Sequence, residues 1–404
     1  MFRNGIYWRT VLILCLTPLI ISWPRSSLAA RLAADSPYVT GHHVSQSPSW
    51  SVVPSPNIGT SDALFGVATI SASDAWAVGY YTDSNNKDLT LIEQWNGTSW
   101  NIVPSPNGGD FNYLYSVAAV SASDIWAVGY YQNVGSVEQP LIEHWDGTSW
   151  SVVPGPSVNT ASELKAVTAI STSDVWTVGE KVNSYDVNQT LVEHWNGTQW
   201  SIVPSPNVKN TYDNVLEGVT AVSTSNVWTV GYYDEPSNGS FYTLTEHWNG
   251  TSWSIVPSPN VPGTNDDQLL GVASLSARGV AAVGIYIIPG VAYTLVERWN
   301  GTSWSIVPSP NVSSASGSEL FSVAIAAKNA AWTVGNWYNS NFQNQTLIEQ
   351  WDGTQLSIVS SPNVGSQDAL IAVAANSATD VWAVGYSGTL FPGPAQTLIE
   401  HYCC

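Results

Sequence analysis

Seven aromatic residues carry most of the binding chemistry this sequence offers: Tyr81, Tyr131, Tyr233, Tyr286, Trp337, Tyr338 and Tyr386. Each follows an apolar run, and amides and hydroxyls surround them. A flat ring can stack on the C–H face of a sugar while nearby amides and hydroxyls bond its hydroxyl groups. The same rings would also fill the upper part of a core, and the sequence leaves both readings open. Four acids, Asp234, Glu235, Asp266 and Asp267, stand in neighbouring variable segments. Two carboxyl groups flanking a glycosidic bond make a hydrolase, but nothing sets one of these opposite another. No catalytic residue is assigned.

Other titratable groups recur too regularly for catalysis. Glutamate stands at Glu93, Glu143, Glu193, Glu246, Glu297, Glu349 and Glu400. A reaction needs its acid once, whereas a repeated environment needs a structural group every time. Glu143 shares a strand face with Leu141 and Trp145, so it is expected to accept a hydrogen bond from a neighbouring unit or the backbone. Histidine follows the glutamate at His144, His194, His247 and His401. Equivalent positions in separate units lie far apart and cannot converge on a metal. No metal and no cofactor is expected. Asp74, Asp124, Asp174 and Asp380 are expected to brace a turn through their own backbone, as Asn226 can with an amide.

These residues are positioned by a repeat. The pattern TLIEQWNGTSWNIVPSPN at 90–107 recurs, joined each time to a second pattern that begins as LFGVATISASDAWAVGYY at 64–81. The tryptophan of the second pattern falls at Trp76, Trp126, Trp176, Trp228, Trp332 and Trp382, with Ala281 in its place once. The steps are 50, 50, 52, 53, 51 and 50 residues, which marks one supersecondary unit used repeatedly. Each unit reads as four short strands. The first is nearly all apolar (Leu114 to Val120), the second is Ile125–Tyr131, the third Leu141–Trp145, and the fourth starts at Trp150. Asn-Gly or Asp-Gly turns the third strand into the fourth, because both tolerate positive φ. Pro-Ser-Pro-Asn ends the fourth strand, since proline cannot donate to a ladder.

The count of strands predicts a ring. Seven third strands are present, the last being Thr397 to Tyr402, with no fourth strand after it. An orphan fourth strand, Ser47 to Asn57, precedes the first unit. The two would complete one mixed sheet and remove the open ends. The expectation is an all-β, seven-bladed β-propeller of four-stranded antiparallel blades, closed by the N-terminal strand. Its blades fall at about 64–107, 114–157, 164–207, 216–260, 269–311, 320–363 and 370–404 plus 48–57. Links from second to third strands and between blades share one face and hold all the length variation, which is where binding residues usually sit.

Ile125 to Tyr130 resembles the second strand of a Kelch repeat, Leu141–Trp150 its third strand and turn, and Trp150 to Pro154 its fourth. The resemblance covers nearly everything from Pro48 to Cys404 and departs where Gly129 is followed by Tyr130 rather than a second glycine. A second resemblance is to tectonin-type lectin repeats, which carry a Trp-Ala-Val strand and a Trp-x-Gly-Thr-x-Trp hairpin. Both families are propellers. The copper site of galactose oxidase-type propellers would need an internal cysteine, and only Cys15, Cys403 and Cys404 occur. Sialidase-type sites need an arginine cluster, and beyond the leader only Arg31, Arg278 and Arg298 remain.

Lys and Arg total 11 against 30 Asp and Glu, for a net charge of −19. Residues 1–29 read as a cleavable export signal with an apolar run from Val11 to Trp23, and 30–47 as a linker. Cleavage would remove Arg3, Arg9 and Arg25 and leave −19 − 3 = −22. That charge opposes nucleic acid and anionic lipid. The expectation is a monomeric, secreted or cell-surface propeller that binds a polysaccharide or surface protein through its variable loops. An extracellular carbohydrate-active enzyme with a carboxylate site on that face is the alternative, and membrane attachment arises only if the leader stays.

Overall fold

The computed structural model describes residues 48–264, 266–390 and 393–403. The expected leader and linker lie outside the described residues. Among these there are 28 strands and no helix. The strands fall into seven four-stranded units, at 61–102, 111–152, 162–202, 214–255, 266–306, 317–359 and 368–403 with Ser49–Val52. Within each, antiparallel order follows the chain. Units four and five count as one eight-stranded sheet through a single parallel bridge, Phe241 with Asp266. In the last unit, Ser49–Val52 lies against Ala395–Cys403 with Trp50 opposite Tyr402. The Val53 amide continues the pairing to the Ile399 carbonyl at 2.9 Å.

The inner strands are longer than their apolar runs suggest, for instance Phe111–Ser121. Each inner strand meets its partner through two register shifts, in the first unit between Leu64 and Gly66 and between Thr69 and Ser71. The first shift explains the glycine of Trp-Ala-Val-Gly. A β-carbon at Gly79 would lie 1.9 Å from the Ala63 carbonyl oxygen, and Gly129, Gly231, Gly284, Gly335 and Gly385 repeat that distance. Any side chain there would expel the partner strand.

Tryptophans join the units. Trp76 of the first unit lies 5.0 Å from Trp145 and 5.6 Å from Trp150 of the second. Trp126, Trp176 and Trp228 repeat this against the next unit. Trp332 packs on Trp50 and Tyr402 of the last unit, and Trp382 of that unit packs on Trp95 and Trp100 of the first. Each fully buried indole removes roughly 150–250 Å² from water, so the contact stabilises by a few kcal/mol at about 25 cal/mol per Å². The two exceptions share an interface. Ala281 in unit five faces unit six, where Leu356 replaces the usual tryptophan beside Trp351. Radial four-stranded sheets, joined by buried faces and with inner strands converging at small residues such as Gly66 and Ser116, make a β-propeller.

Candidate functional site

The end with uniform turns is built for structure. His144, His194 and His401 place Nε2 2.7–2.8 Å from Oδ1 of Asp124, Asp174 and Asp380, across one strand pair. Their rings lie on Trp126, Trp176 and Trp382 at 4.2, 4.2 and 3.9 Å. The aspartates therefore fix a histidine on an indole, rather than bracing their own turn. The turn is held instead by serines, such as Ser71 Oγ accepting from the Ser73 amide. The histidines stay in separate units. Among the described residues no group of three or more His, Cys, Asp or Glu is arranged to hold a metal.

The seven repeated glutamates are fully buried. Three accept from a serine of the preceding unit: Glu246 from Ser205 at 2.6 Å, Glu349 from Ser309 at 2.8 Å and Glu400 from Ser361 at 3.0 Å. Glu93, Glu143, Glu193 and Glu297 have no hydrogen-bond partner. Beside Glu193 the serine is replaced by Gly155, and beside Glu143 the equivalent Ser105 bonds Thr90 instead. Burial pushes all seven up to about 8. They lie inside the walls, closed to any substrate, where burial favours the neutral acid.

The other end carries the long loops and the seven aromatics. Five of these, Tyr81, Tyr131, Tyr233, Tyr286 and Trp337, lie partly buried at the margins of five separate apolar clusters between units. Each keeps a partly exposed edge. Tyr233 and Tyr286 also stack on Tyr242 and Tyr293. The structure does not bring these five together. Tyr386 points inward with Tyr80, and Tyr338 reaches Glu319. The loop acids are tied into their own loops, as when Asp234 Oδ1 accepts from the Asp213 amide at 2.8 Å and Asp267 Oδ1 from the Val261 amide at 2.9 Å. Loops 83–87, 183–187 and 339–343 share one geometry with a left-handed residue at Asn86, Asp186 and Phe342. Asparagine and aspartate tolerate that conformation; phenylalanine pays strain for it, and Phe342 is exposed.

The axis holds what the repeat did not announce. Behind each buried inner-strand leucine stands a half-buried residue that changes from unit to unit: Phe65, Tyr115, Lys165, Glu217, Leu270, Phe321 and Ile371. In units one and two, Phe65, Tyr80, Tyr113, Tyr115 and Tyr130 form a continuous aromatic wall with centroids 4.8–6.5 Å apart. Unit three breaks it with charge. Lys165 Nζ sits 2.6 Å from Glu163 Oε2, 3.6 Å from Glu180 Oε1 and 5.1 Å from the centre of the Tyr115 ring. Glu180 occupies the place of Tyr80, Tyr130, Tyr232 and Tyr386. Opposite, Glu319 lies across from Asn336 in unit six.

Burial dominates the electrostatics. It raises Glu180 to about 7, against the pull of Lys165 and with help from Glu163, Glu217 and Asp213. Burial also raises Glu217, with Lys165 opposing, and lifts Glu319 to about 7 while Tyr338 and Asn336 pull it down. For Lys165, burial works toward the neutral amine, but Glu163, Glu180, Tyr115 and Glu217 outweigh it and hold the ammonium well above the usual range. Such a group can stack on flat ligands, bind charge, and exchange protons near neutral pH. The signal lay in the sequence as breaks in an apolar position, with LKAVT and LEGVT standing where LFGVA and LYSVA occur.

No family model matches this sequence, and no curated protein matches it. Among solved structures the chain is similar to YCF48 bound to D1 peptide, at TM-score 0.53 and 13% identity over 88% of this chain and 97% of that one. It is similar to a PL25 ulvan lyase bound to -[GlcA(1-4)Rha3S]-, at TM-score 0.54 and 11% identity over 84% and 94%. A GH74 xyloglucanase from Xanthomonas campestris gives TM-score 0.53 and 12% identity over 87% of this chain and 55% of its own length. At such identities the likeness is one of fold, the β-propeller.

Proposed function

We propose that the chain is an exported, monomeric binding propeller that recognises a glycan or protein segment at the loop-bearing end, centred on the axial group. The observation that carries this reading is where the repeat breaks. Lys165, Glu180 and Glu217 stand where most other units carry aromatic or apolar residues and gather with Glu163 at one end of the axis, while wall departures such as Ala281 and Leu356 swap one apolar side chain for another. A scaffold residue has no reason to vary in that pattern; a ligand contact does. Tyr386 lies with Tyr80 at the far end of the aromatic wall, and Tyr81, Tyr131, Tyr233, Tyr286, Trp337 and Tyr338 are read as the outer rim of the site. YCF48 with its peptide and the ulvan lyase with its saccharide are precedents for both ligand classes on this fold. The fold reading extends to seven blades closed as a ring, supported by the strand pairing of Trp50 with Tyr402 and the packing of Trp382 on Trp95. The repeat is read as Kelch-type, with the tectonin-like hairpin as its second affinity.

The alternative, a carbohydrate-active enzyme on the same face, draws on Glu180 and Glu319, whose position near 7 suits a general acid. A glycan and protein array with a heat-denatured control, run beside a polysaccharide turnover assay, separates the two. Retention of a ligand without turnover supports binding. Turnover that is lost in Glu180→Gln or Glu319→Gln supports the enzyme. No ligand and no turnover defeats both.

A further inference from the structure

We propose that the axial group of units two to four is a receptor for one organic cation, an ammonium or guanidinium group, held by Glu180 and Glu217 against the faces of Tyr115, Tyr130 and Tyr232. This rests on the reading that the loop-bearing end binds a ligand, and it names the chemistry of that ligand. Three carboxyl groups, Glu163, Glu180 and Glu217, share one resident ammonium, so the formal balance is 1 − 3 = −2 before Asp213 is counted. Glu163 takes the close contact with Lys165. Glu180 is left at 3.6 Å, and its Oε2 is a buried oxygen with no hydrogen-bond donor. The tyrosines beside it are electron-rich rings, and Lys165 already rests over one of them, which shows that this wall accepts a cation face-on. Anions are opposed by the same acids, and a neutral donor would bond the Glu180 oxygen without offsetting the excess of negative charge.

Without the cation, the charge excess is eased by protons, which burial favours on Glu180, raised to about 7, and in the same direction on Glu217. An incoming ammonium replaces them. Binding is therefore coupled to proton release and strengthens as pH rises through 7. The charged and titratable groups facing the site are Glu163, Lys165, Glu180, Asp213, Glu217 and the three tyrosines. Burial holds those tyrosines protonated, so the pH dependence is assigned to Glu180 and Glu217.

The test is calorimetry on the full chain at pH 8 and pH 6. The probes are spermidine, Nα-acetyl-lysine methylamide and Nα-acetyl-arginine methylamide, with the norleucine analogue as a neutral control. Saturable binding of spermidine alone identifies a free polyamine, and binding of the amides identifies a side chain of a polypeptide; either supports the site. Glu180→Gln should weaken binding about tenfold at pH 8. Lys165→Met, which removes the resident ammonium, should tighten it by a similar factor. Wild-type affinity should fall on going to pH 6, with heats that depend on the buffer's ionisation enthalpy. The proposal is overturned if no cationic probe binds a chain whose melting is normal, if Glu180→Gln and wild type bind alike, or if the norleucine analogue binds as well. A glycan or protein held equally by wild type and Glu180→Gln would remove the cation site and leave the binding propeller standing.

Discussion

Replacing Glu143 by glutamine should make the protein less sensitive to alkali. The Glu143 carboxyl is fully buried without a hydrogen-bond partner, and burial alone raises it from 4.5 to about 8. A folded-state value above the unfolded one means stability that is complete below pH 4.5 and lost as pH rises through 8. The loss amounts to about 2 kcal/mol by pH 6 and about 4 kcal/mol by pH 8, as an upper bound. Glutamine keeps the shape and cannot ionise. Its extra N–H groups add an offset that is the same at every pH, so the change of the gap with pH isolates the carboxyl. Urea unfolding of wild type and Glu143→Gln at pH 5, 6, 7 and 8 reads it. The gap should move in favour of the variant by a few kcal/mol between pH 5 and 8. Wild type should itself weaken over that range, because six other glutamates share the environment. A gap that stays constant, or a wild type that gains stability toward pH 8, would refute the claim that these acids are neutral in the fold.

Three further outcomes follow from packing. Ala281→Trp with Leu356→Trp restores the indole cluster missing between units five and six, and the double-mutant cycle should show favourable coupling of about 1 kcal/mol; zero coupling would mean the two departures are unrelated. Removing 48–57 strips the strand that carries Trp50 from Trp332 and Tyr402, and calorimetry should record a melting temperature lower by several degrees or more, an unchanged value contradicting the shared sheet. Phe342→Asn relieves a left-handed phenylalanine that is exposed to solvent, so it should stabilise by about 1 kcal/mol in urea unfolding. Loss of stability there would show that the ring is held by packing.

Much of the architecture was legible because the repeat states the same physics seven times. The tryptophan spacing and the stranded fourth strand before residue 57 have direct counterparts in the pairing; in the Asn-Gly turns only the glycine takes positive φ, while the Asn96 Oδ1 accepts from the Thr98 and Ser99 amides. The reason for the glycine after Trp-Ala-Val was not legible, since it depends on a register shift that brings the Ala63 carbonyl over Gly79. The partner of Asp124 was missed for a similar reason. Local turn chemistry pointed to its own backbone, while the cross-strand pair with His144 needs the register of the second and third strands. Sequence reasoning placed the aromatics at the loop-bearing end but could not say which way each side chain turns. Alternation along the strand sends Tyr81 between units and Tyr80 to the axis. The charged axial residues were visible as departures in an apolar column, yet only the convergence of inner strands gives that column a common centre.

The central claim is that departures from the repeat at the axis exist for a ligand. It is tested most directly by restoring the repeat there, with Lys165→Tyr, Glu180→Tyr and Glu217→Phe combined, and comparing the glycan and protein array profile with that of wild type at matched folding. The account predicts that the restored protein melts normally and loses the ligands that wild type retains. An unchanged binding profile on a folded, restored chain would contradict it.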